Sequence, residues 1–326
     1  MIVGLENLSK ELINWYENST IKPINVVSVP YRGIEPLAGL LDKIAGKDRI
    51  LYISQGGSVE ASLEEFLKDK GLAYATKEDI GAKFVILDLC EAFNVTDTYD
   101  LIIYDDLNTF PSHRKSEMQE LLNRVYYKTN HIIAYSLERV FRNVINLEIP
   151  LKSDHSFVTE PRFIDTKVDI KASIPNSIYD YINFFFSDRR HVLIFVPDTA
   201  TMDGMKRYLT RINPELKHHM LDVSNLSDPE ITKLLDQTTS SKILFSKKMR
   251  DFRTVPVNFE IIVSNSDNAT YDYRQFVFLC LRSSLYEDLN GEVILVAQTI
   301  SFEMDRTKVL TRDYNRVIWE SEQLFL

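Results

Sequence analysis

The sequence predicts an α/β protein of two tandem lobes, each a mostly parallel sheet flanked by helices. Short apolar runs alternate with segments of helical period up to residue 136, and again from residue 191. The stretch 147–169 interrupts this alternation with two prolines and little helical period. Alternating strands and helices are typical of parallel sheets covered on both faces. We therefore expect lobes at 1–155 and 156–326, joined by a crossing that ends in a strand of the second lobe.

Five apolar runs in the first lobe are predicted to be strands. They are rich in Ile, Val, Leu and Tyr, and most lack the alternating polarity of a half-exposed strand. The runs are 24–29, 49–54, 83–89, 99–104 and 131–136.

Three segments between these runs carry apolar residues at helical spacing. The segments are 35–46, 58–71 and 116–128. We expect Ser58 to cap the start of the second helix and Gly71 to end it, because these residue types favour the two helix ends.

The second lobe repeats the pattern. Apolar runs lie at 191–197, 218–224, 242–247, 259–265, 275–282 and 292–298, and helical segments at 201–212 and 229–238. The tail 305–325 is predicted to be a helix that packs back on a lobe.

Composition argues against several classes of protein. The net charge is −9, from 38 Lys and Arg against 47 Asp and Glu, which opposes nucleic-acid binding through bulk positive charge. Cys90 and Cys280 are too few for a four-cysteine zinc site or a disulfide framework. No signal-peptide pattern and no apolar run of membrane-spanning length occur, so we expect a cytoplasmic protein with no membrane contact.

Two adjacent carboxylates follow the strand predicted at 99–104. Asp105 and Asp106 then lie at the carboxyl end of a parallel strand, where such sheets bind ligands. An acid pair there can hold hydrated Mg²⁺ for phosphoryl transfer. A solvated turn accounts for the same residues, because turns also favour Asp.

The order of motifs around this pair resembles the two-lobed superfamily 2 helicases, most closely the comF operon protein A (late competence helicase) branch. Residues 105–111 read Asp-Asp-Leu-Asn-Thr-Phe-Pro, in register with the Asp-Glu-Val-Asp-Ala-Phe-Pro of that branch. Ser136 stands in the Ser/Thr-Ala-Thr motif, and Gln275, Arg282 and the pair 291–292 keep the spacing of the last motif. The resemblance spans roughly residues 20–300 and implies two RecA-like lobes of the P-loop NTPase type. The zinc module of those relatives is missing.

The phosphate-binding loop departs from the family. A helicase needs Gly-Lys-Thr after its first strand, to cradle phosphates and hold Mg²⁺. Residues 30–37 here read Pro-Tyr-Arg-Gly-Ile-Glu-Pro-Leu, with Glu35 close to the position of the lysine. A carboxylate there would repel phosphate. Arg32 is the one substitute cation, and Gly33 the one remaining glycine.

The catalytic motifs depart as well. Asp106 replaces the catalytic Glu, and Leu279 replaces the first arginine of the last motif, of which Arg282 remains. Phe278 and Leu281 replace its two glycines. The residues that the resemblance implies as vestigial are Asp105, Asp106 and Arg282 for catalysis, and Arg32, Gly33 and Gln275 for the nucleotide.

Two segments are candidates for nucleic-acid contact. The turn Ser54, Gln55, Gly56, Gly57 lies where the family contacts the strand, and its amides could bind phosphate. The segment with Lys247, Lys248 and Arg250 is locally basic. A plain strand–helix turn and a solvated surface account for these residues equally well.

These features lead us to expect a helicase-like protein with a degenerate ATP site, a pseudo-helicase that is not an enzyme. It would be a structural or regulatory subunit of a nucleic-acid-processing system, with another protein subunit as partner and no cofactor or metal. Two alternatives stay open: a divergent nucleic-acid-dependent ATPase that uses ATP and Mg²⁺, and a nucleic-acid-binding protein without turnover. A tight turn at 30–37 filled by side chains would favour the first hypothesis, and a wide loop facing Asp105 would favour the ATPase.

Overall fold

The computed structural model describes residues 4–56, 59–149, 157–171, 173–237, 240–285 and 291–323. Its chain divides into two compact units, Met1–Ser153 and Asp154–Leu326. The boundary predicted between residues 155 and 156 lies outside the described residues.

The first unit is built on a seven-stranded sheet in which every neighbouring pair is parallel. Its strands are β1 (Pro23–Val27), β2 (Ile50–Ser54), β3 (Tyr74–Ala75), β4 (Phe84–Asp88), β5 (Tyr99–Asp105), β6 (Thr129–Ser136) and β7 (Ile145–Glu148). The spatial order is β3-β4-β2-β5-β6-β1-β7. The helices are α1 (Leu5–Asn18), α2 (Glu35–Ile44), α3 (Ala61–Asp69), α4 (Leu89–Ala92) and α5 (Lys115–Val125). All five predicted strands are present, and β2 is buried along its whole length, as its continuous apolar run predicts.

Strand β7 corrects the interpretation of 147–169 as a crossing, because the chain first returns to the sheet beside β1. Only Leu147 of its four residues is buried, so no apolar run marks the strand. The side chain of Asn25 on β1 holds the strand by donating to Asn146 Oδ1, at 2.7 Å.

The start of one helix also differs from expectation. Helix α3 begins at Ala61 and is capped by Glu60, whose carboxylate accepts from the backbone N–H groups of Ser62 and Leu63. The cap predicted at Ser58 is therefore wrong, and Ser58 itself lies outside the described residues. Gly71 follows the helix at φ +64°, in keeping with its predicted role at the helix end.

Helix α1 was not predicted, although its sequence is amphipathic. Leu8, Leu12 and Trp15 are buried at helical spacing. The helix packs closely on α2, since a Cβ on Gly39 would lie 2.2 Å from Ser9 Oγ.

The second unit is built on a six-stranded, fully parallel sheet. Its strands are β8 (Arg162–Asp165), β9 (His191–Phe195), β10 (Met220–Asp222), β11 (Ile243–Ser246), β12 (Phe259–Val263) and β13 (Val293–Ala297), in the order β10-β11-β9-β12-β13-β8. The helices are α6 (Asn176–Ser187), α7 (Thr199–Ile212), α8 (Asp228–Asp236), α9 (Tyr273–Ser283) and α10 (Phe302–Gln323). Strand β8 is the expected first strand of this lobe. The apolar run 275–282 forms a buried helix, α9.

The tail forms the predicted helix, α10, and packs on its own unit. Thr307 Oγ1 donates to the carbonyl of Tyr273 on α9, at 3.3 Å. Asn315 forms two hydrogen bonds with the backbone of Val158.

Each unit is thus a parallel sheet flanked by helices, and the chain consists of two RecA-like lobes. Buried apolar clusters lie between helices and sheet in both units. Across the described ranges, no helix combines the length and apolar character needed to cross a membrane.

Candidate nucleotide site

The candidate site lies at the carboxyl edge of the first sheet, where loops follow β1, β2 and β5. Parallel strands bring these loops together although they are far apart in sequence. The structure places Arg32 and Gly33 in the first loop, Gln55 in the second, and Asp105 and Asp106 at the end of β5.

The carboxylate of Asp105 is surrounded by donors. Its Oδ1 accepts from the backbone N–H groups of Leu107, at 2.8 Å, and Asn108, at 3.2 Å. Its Oδ2 accepts from the Tyr52 hydroxyl, at 2.5 Å, and from the Asn108 side-chain amide, at 2.8 Å. A carboxylate offers about four acceptor positions, so these bonds use its capacity. Asp105 therefore orders the turn that follows it.

Burial changes the acidity of this group. Desolvation raises the pKa of Asp105 from 3.8 to about 6, against the opposing effect of its four hydrogen bonds. Burial and the neighbouring carboxylate raise the pKa of Tyr52 well above its ordinary value. Protonated tyrosine is the form that donates to Asp105.

Asp106 is equally buried and contacts a residue that the sequence assigned to nucleic acid. Its Oδ1 accepts from Gln55 Nε2 at 2.8 Å and from the Tyr104 hydroxyl at 3.2 Å. A residue predicted for catalysis, Asp106, and one predicted for nucleic-acid contact, Gln55, thus share one buried hydrogen-bond network.

The loop after β1 is a tight turn filled by side chains. Asn108 pairs with Gly33 in both directions, accepting from its N–H at 2.8 Å and donating to its carbonyl at 3.1 Å. The N–H of Tyr31 donates to the Leu107 carbonyl at 3.1 Å, and the N–H of Ile34 to Ser62 Oγ at 3.0 Å. Three backbone N–H groups of this loop, those of Tyr31, Gly33 and Ile34, therefore already have partners within the protein.

Backbone geometry supports the same description. Gly33 has φ +64°, and a Cβ there would lie 2.6 Å from Ser62 Oγ. Tyr31 also adopts a left-handed conformation, at φ 67°. Arg32, between them, is partly exposed. Burial and the charge of Asp105 raise the pKa of buried Tyr135 well above its ordinary value, and the charge of Arg32 opposes this shift. Glu35 is exposed at the start of α2.

Gln275 has a local role in the second unit. Its side-chain oxygen accepts from the N–H of Asp272, and the Asp272 side chain accepts from the first turn of α9, which together form a capping box.

Arg282 also contacts the backbone of its own unit. This fully buried guanidinium donates to the carbonyls of Phe252, Val255 and Val257, at 3.3, 2.8 and 2.7 Å. It thereby holds the segment 252–257 against α9.

Sequence reasoning missed a buried ion pair beside these residues. Arg274 is 1% exposed and donates to both carboxylate oxygens of Asp272, at 2.9 and 3.3 Å. The spacing Asp-x-Arg at a helix start is the only signal in the sequence, and it is weak.

The candidates for nucleic-acid contact have local partners too. Ser54 Oγ donates to the carbonyl of Gly56, at 2.8 Å, and the N–H of Gln55 donates to Thr109 Oγ1, at 3.2 Å. Gly57 lies outside the described residues.

In the basic segment, two of the three cations face carboxylates. Lys247 lies 3.8 Å from Asp222, and Arg250 lies 3.1 Å from Asp228. The side chain of Lys248 is exposed.

The structure also brings a cysteine and a histidine together, although the sequence offers no sensible Cys–His pair. Cys90 Sγ lies 4.0 Å from His113 Nε2, and His113 Nδ1 lies 3.9 Å from Glu117. Among the described residues, no group of three or more His, Cys, Asp or Glu side chains could hold a metal ion.

No protein-family model matches this chain, and the comparison with curated proteins gives no match. The fold and the geometry above are therefore the basis for the functional proposal.

Proposed function

We propose that this protein is a pseudo-helicase: a helicase-like protein without ATP turnover that is a structural or regulatory subunit of a nucleic-acid-processing system. Two RecA-like lobes and the order of the motifs support the first part of the proposal. The observation that carries it is the tight loop at 31–34, in which the N–H groups of Tyr31, Gly33 and Ile34 are bonded within the protein.

Opening this loop for a phosphate would be costly. At least three buried or half-buried hydrogen bonds would have to break, each contributing about 1 kcal/mol net and more where a buried partner is left unsatisfied. The incoming triphosphate would also meet the carboxylates of Glu35 and Asp105, and residues 30–37 offer it Arg32 as a cation but no lysine.

Magnesium would have the same difficulty at the acid pair. Its usual protein ligands are carboxylate oxygens with open lone pairs, and those of Asp105 already accept four hydrogen bonds. A protein of this kind, without turnover, would act through a partner, so the proposal includes a second protein subunit.

The direct test is ATP hydrolysis by the full chain, with Mg²⁺, in the presence and absence of single-stranded nucleic acid. We expect phosphate release no faster than in buffer. Hydrolysis that disappears on Asp105→Ala but persists in the exposed control Asp69→Ala would overturn the proposal.

A divergent nucleic-acid-dependent ATPase is the second candidate. The observation in its favour is that Asp105, Asp106 and Gln55 converge at the carboxyl edge of the sheet. This candidate requires the loop to open when nucleotide binds, and nucleic-acid-stimulated hydrolysis in the same assay would support it.

A further inference from the structure

A groove with several cations lies at the amino edge of the first sheet, at the opposite ends of the strands from the candidate nucleotide site. It consists of two cavities, of about 490 and 560 Å³, that share Lys22. We call these two cavities the amino-edge groove.

The charge of the amino-edge groove contrasts with the acidity of the whole chain. The larger cavity is lined by Lys22, Arg49, Lys83 and Lys128, and the smaller one adds Arg142. Among the described residues that line the two cavities, Asp100 is the one carboxylate.

Three of these lysines are positioned by backbone carbonyls. Lys22 Nζ donates to Thr129, at 3.2 Å, Lys83 Nζ to Lys47, at 2.8 Å, and Lys128 Nζ to Thr96, at 2.9 Å. A carbonyl orients an ammonium group but does not neutralise it. None of the three has a carboxylate within 4.0 Å in the described part of the chain. Arg49, in contrast, is paired with Asp97 at 2.6 Å.

Aromatic rings lie among the cations. Tyr127 is 82% exposed and lies edge-on to Tyr126, with ring centroids 5.5 Å apart. Lys22 Nζ lies 5.5 Å from the ring centre of Tyr126. An exposed tyrosine of this size has an unfavourable contact with water that a stacked base would relieve.

We propose that the amino-edge groove binds single-stranded nucleic acid, with phosphates on Lys22, Lys83 and Lys128 and a base stacked on Tyr127. Cations that follow a groove, with aromatic rings between them, are typical of such sites. All three lysines line the larger cavity, and the smaller one continues from Lys22, which suits successive phosphates of a strand better than one small anion.

This proposal does not depend on the state of the nucleotide site, since it uses the other edge of the sheet. Absence of binding at the groove would leave the pseudo-helicase proposal unchanged. Detection of ATP hydrolysis would likewise leave the proposal for the amino-edge groove unchanged.

The test is fluorescence anisotropy of a labelled thymidine oligomer of about 12 nucleotides, titrated with the full chain between about 50 and 200 mM salt. Lys83→Glu with Lys128→Glu should weaken binding at least about tenfold and lower the salt slope by about 1.4, the value for two single-strand phosphate contacts. The matched control, Lys10→Glu with Lys77→Glu, makes the same change in net charge on exposed lysines outside the groove, and should retain the groove's contribution.

A second arm tests the stacking contact. Tyr127→Ala should weaken binding by about 5- to 150-fold, the range for one stacked base, and Tyr127→Phe should restore it. Three results would overturn the proposal: no binding at low salt, equal weakening by the control pair, or displacement of the oligomer by thymidine monophosphate at equal nucleotide concentration.

Discussion

Asn108 is the residue that does most to determine the shape of the candidate nucleotide site. Its side chain bonds Gly33 in both directions and also donates to Asp105, so it connects the loop after β1 to the turn after β5. At 3% exposure it is shielded from water, which cannot replace these bonds. A single side-chain amide therefore engages the Gly33 N–H and an Asp105 oxygen, the groups that the helicase resemblance assigns to nucleotide and magnesium.

Asn108→Ala should lower the free energy of unfolding by about 2–5 kcal/mol, because it removes three buried hydrogen bonds and leaves their partners unsatisfied. Urea denaturation measures this loss, with exposed Asn123→Ala on α5 as the matched control. Equal stability of the two variants would show that the turn is not held by Asn108.

The raised pKa of Asp105 predicts a pH dependence of stability. Because the pKa is higher in the folded protein, about 6 against 3.8, the native state binds the extra proton between these values. The contribution of Asp105 to the free energy of unfolding is therefore present at low pH and is lost as pH rises through about 6. The loss should amount to about 3 kcal/mol, from about 1.4 kcal/mol for each pKa unit.

Other carboxylates titrate in the same range, so the measurement is the difference between the wild type and Asp105→Asn. The advantage of the wild type should shrink as pH rises from about 4 to about 7. The exposed control Asp69→Asn should show no such trend, and an advantage that grows with pH would contradict the raised pKa.

At the scale of elements, helix α9 carries apolar side chains at positions of the last helicase-like motif, and these side chains are buried in the second unit. Phe278, Leu279 and Leu281 are buried at the positions where the helicase resemblance implies glycine, arginine and glycine. Arg282 is kept in sequence, but its guanidinium supports the segment 252–257.

Arg282→Leu should lower the free energy of unfolding by about 3 kcal/mol or more, because three carbonyls lose a charged donor in a buried place. Thermal or urea unfolding measures the loss, with exposed Arg207→Leu on α7 as the control. If both variants were equally stable, the structural role of Arg282 would be wrong and its catalytic interpretation would regain support.

The strands were predictable because a strand buried on both faces is an uninterrupted apolar run, as in β2 and in residues 101–104 of β5. Strand β7 was not, since one buried leucine in four residues leaves no pattern. The cap of α3 was misplaced because Ser and Glu can both accept from the first turn, and the sequence alone does not say which one does. For the site, strand ends placed Asp105, Asp106 and Gln55 at one edge, but the partners Tyr52, Asn108 and Ser62 come from separate elements that only folding brings together.

At the scale of the whole molecule, the chain has two RecA-like lobes, and the loop after β1 is a tight turn held by internal hydrogen bonds. The acidic chain also carries a local excess of positive charge at the amino-edge groove, away from that loop. We therefore propose a protein with helicase-like lobes and no functional ATP site, which contacts nucleic acid through the amino edge of the first sheet.

Isothermal titration calorimetry of the full chain with ATP and Mg²⁺ at millimolar concentration tests most directly whether the nucleotide site is closed. We expect no heat beyond dilution, because the N–H groups of Tyr31, Gly33 and Ile34 and the oxygens of Asp105 already have partners within the protein. A saturable binding heat that is lost in Asp105→Asn and kept in Asp69→Asn would contradict the central claim that the nucleotide site is closed.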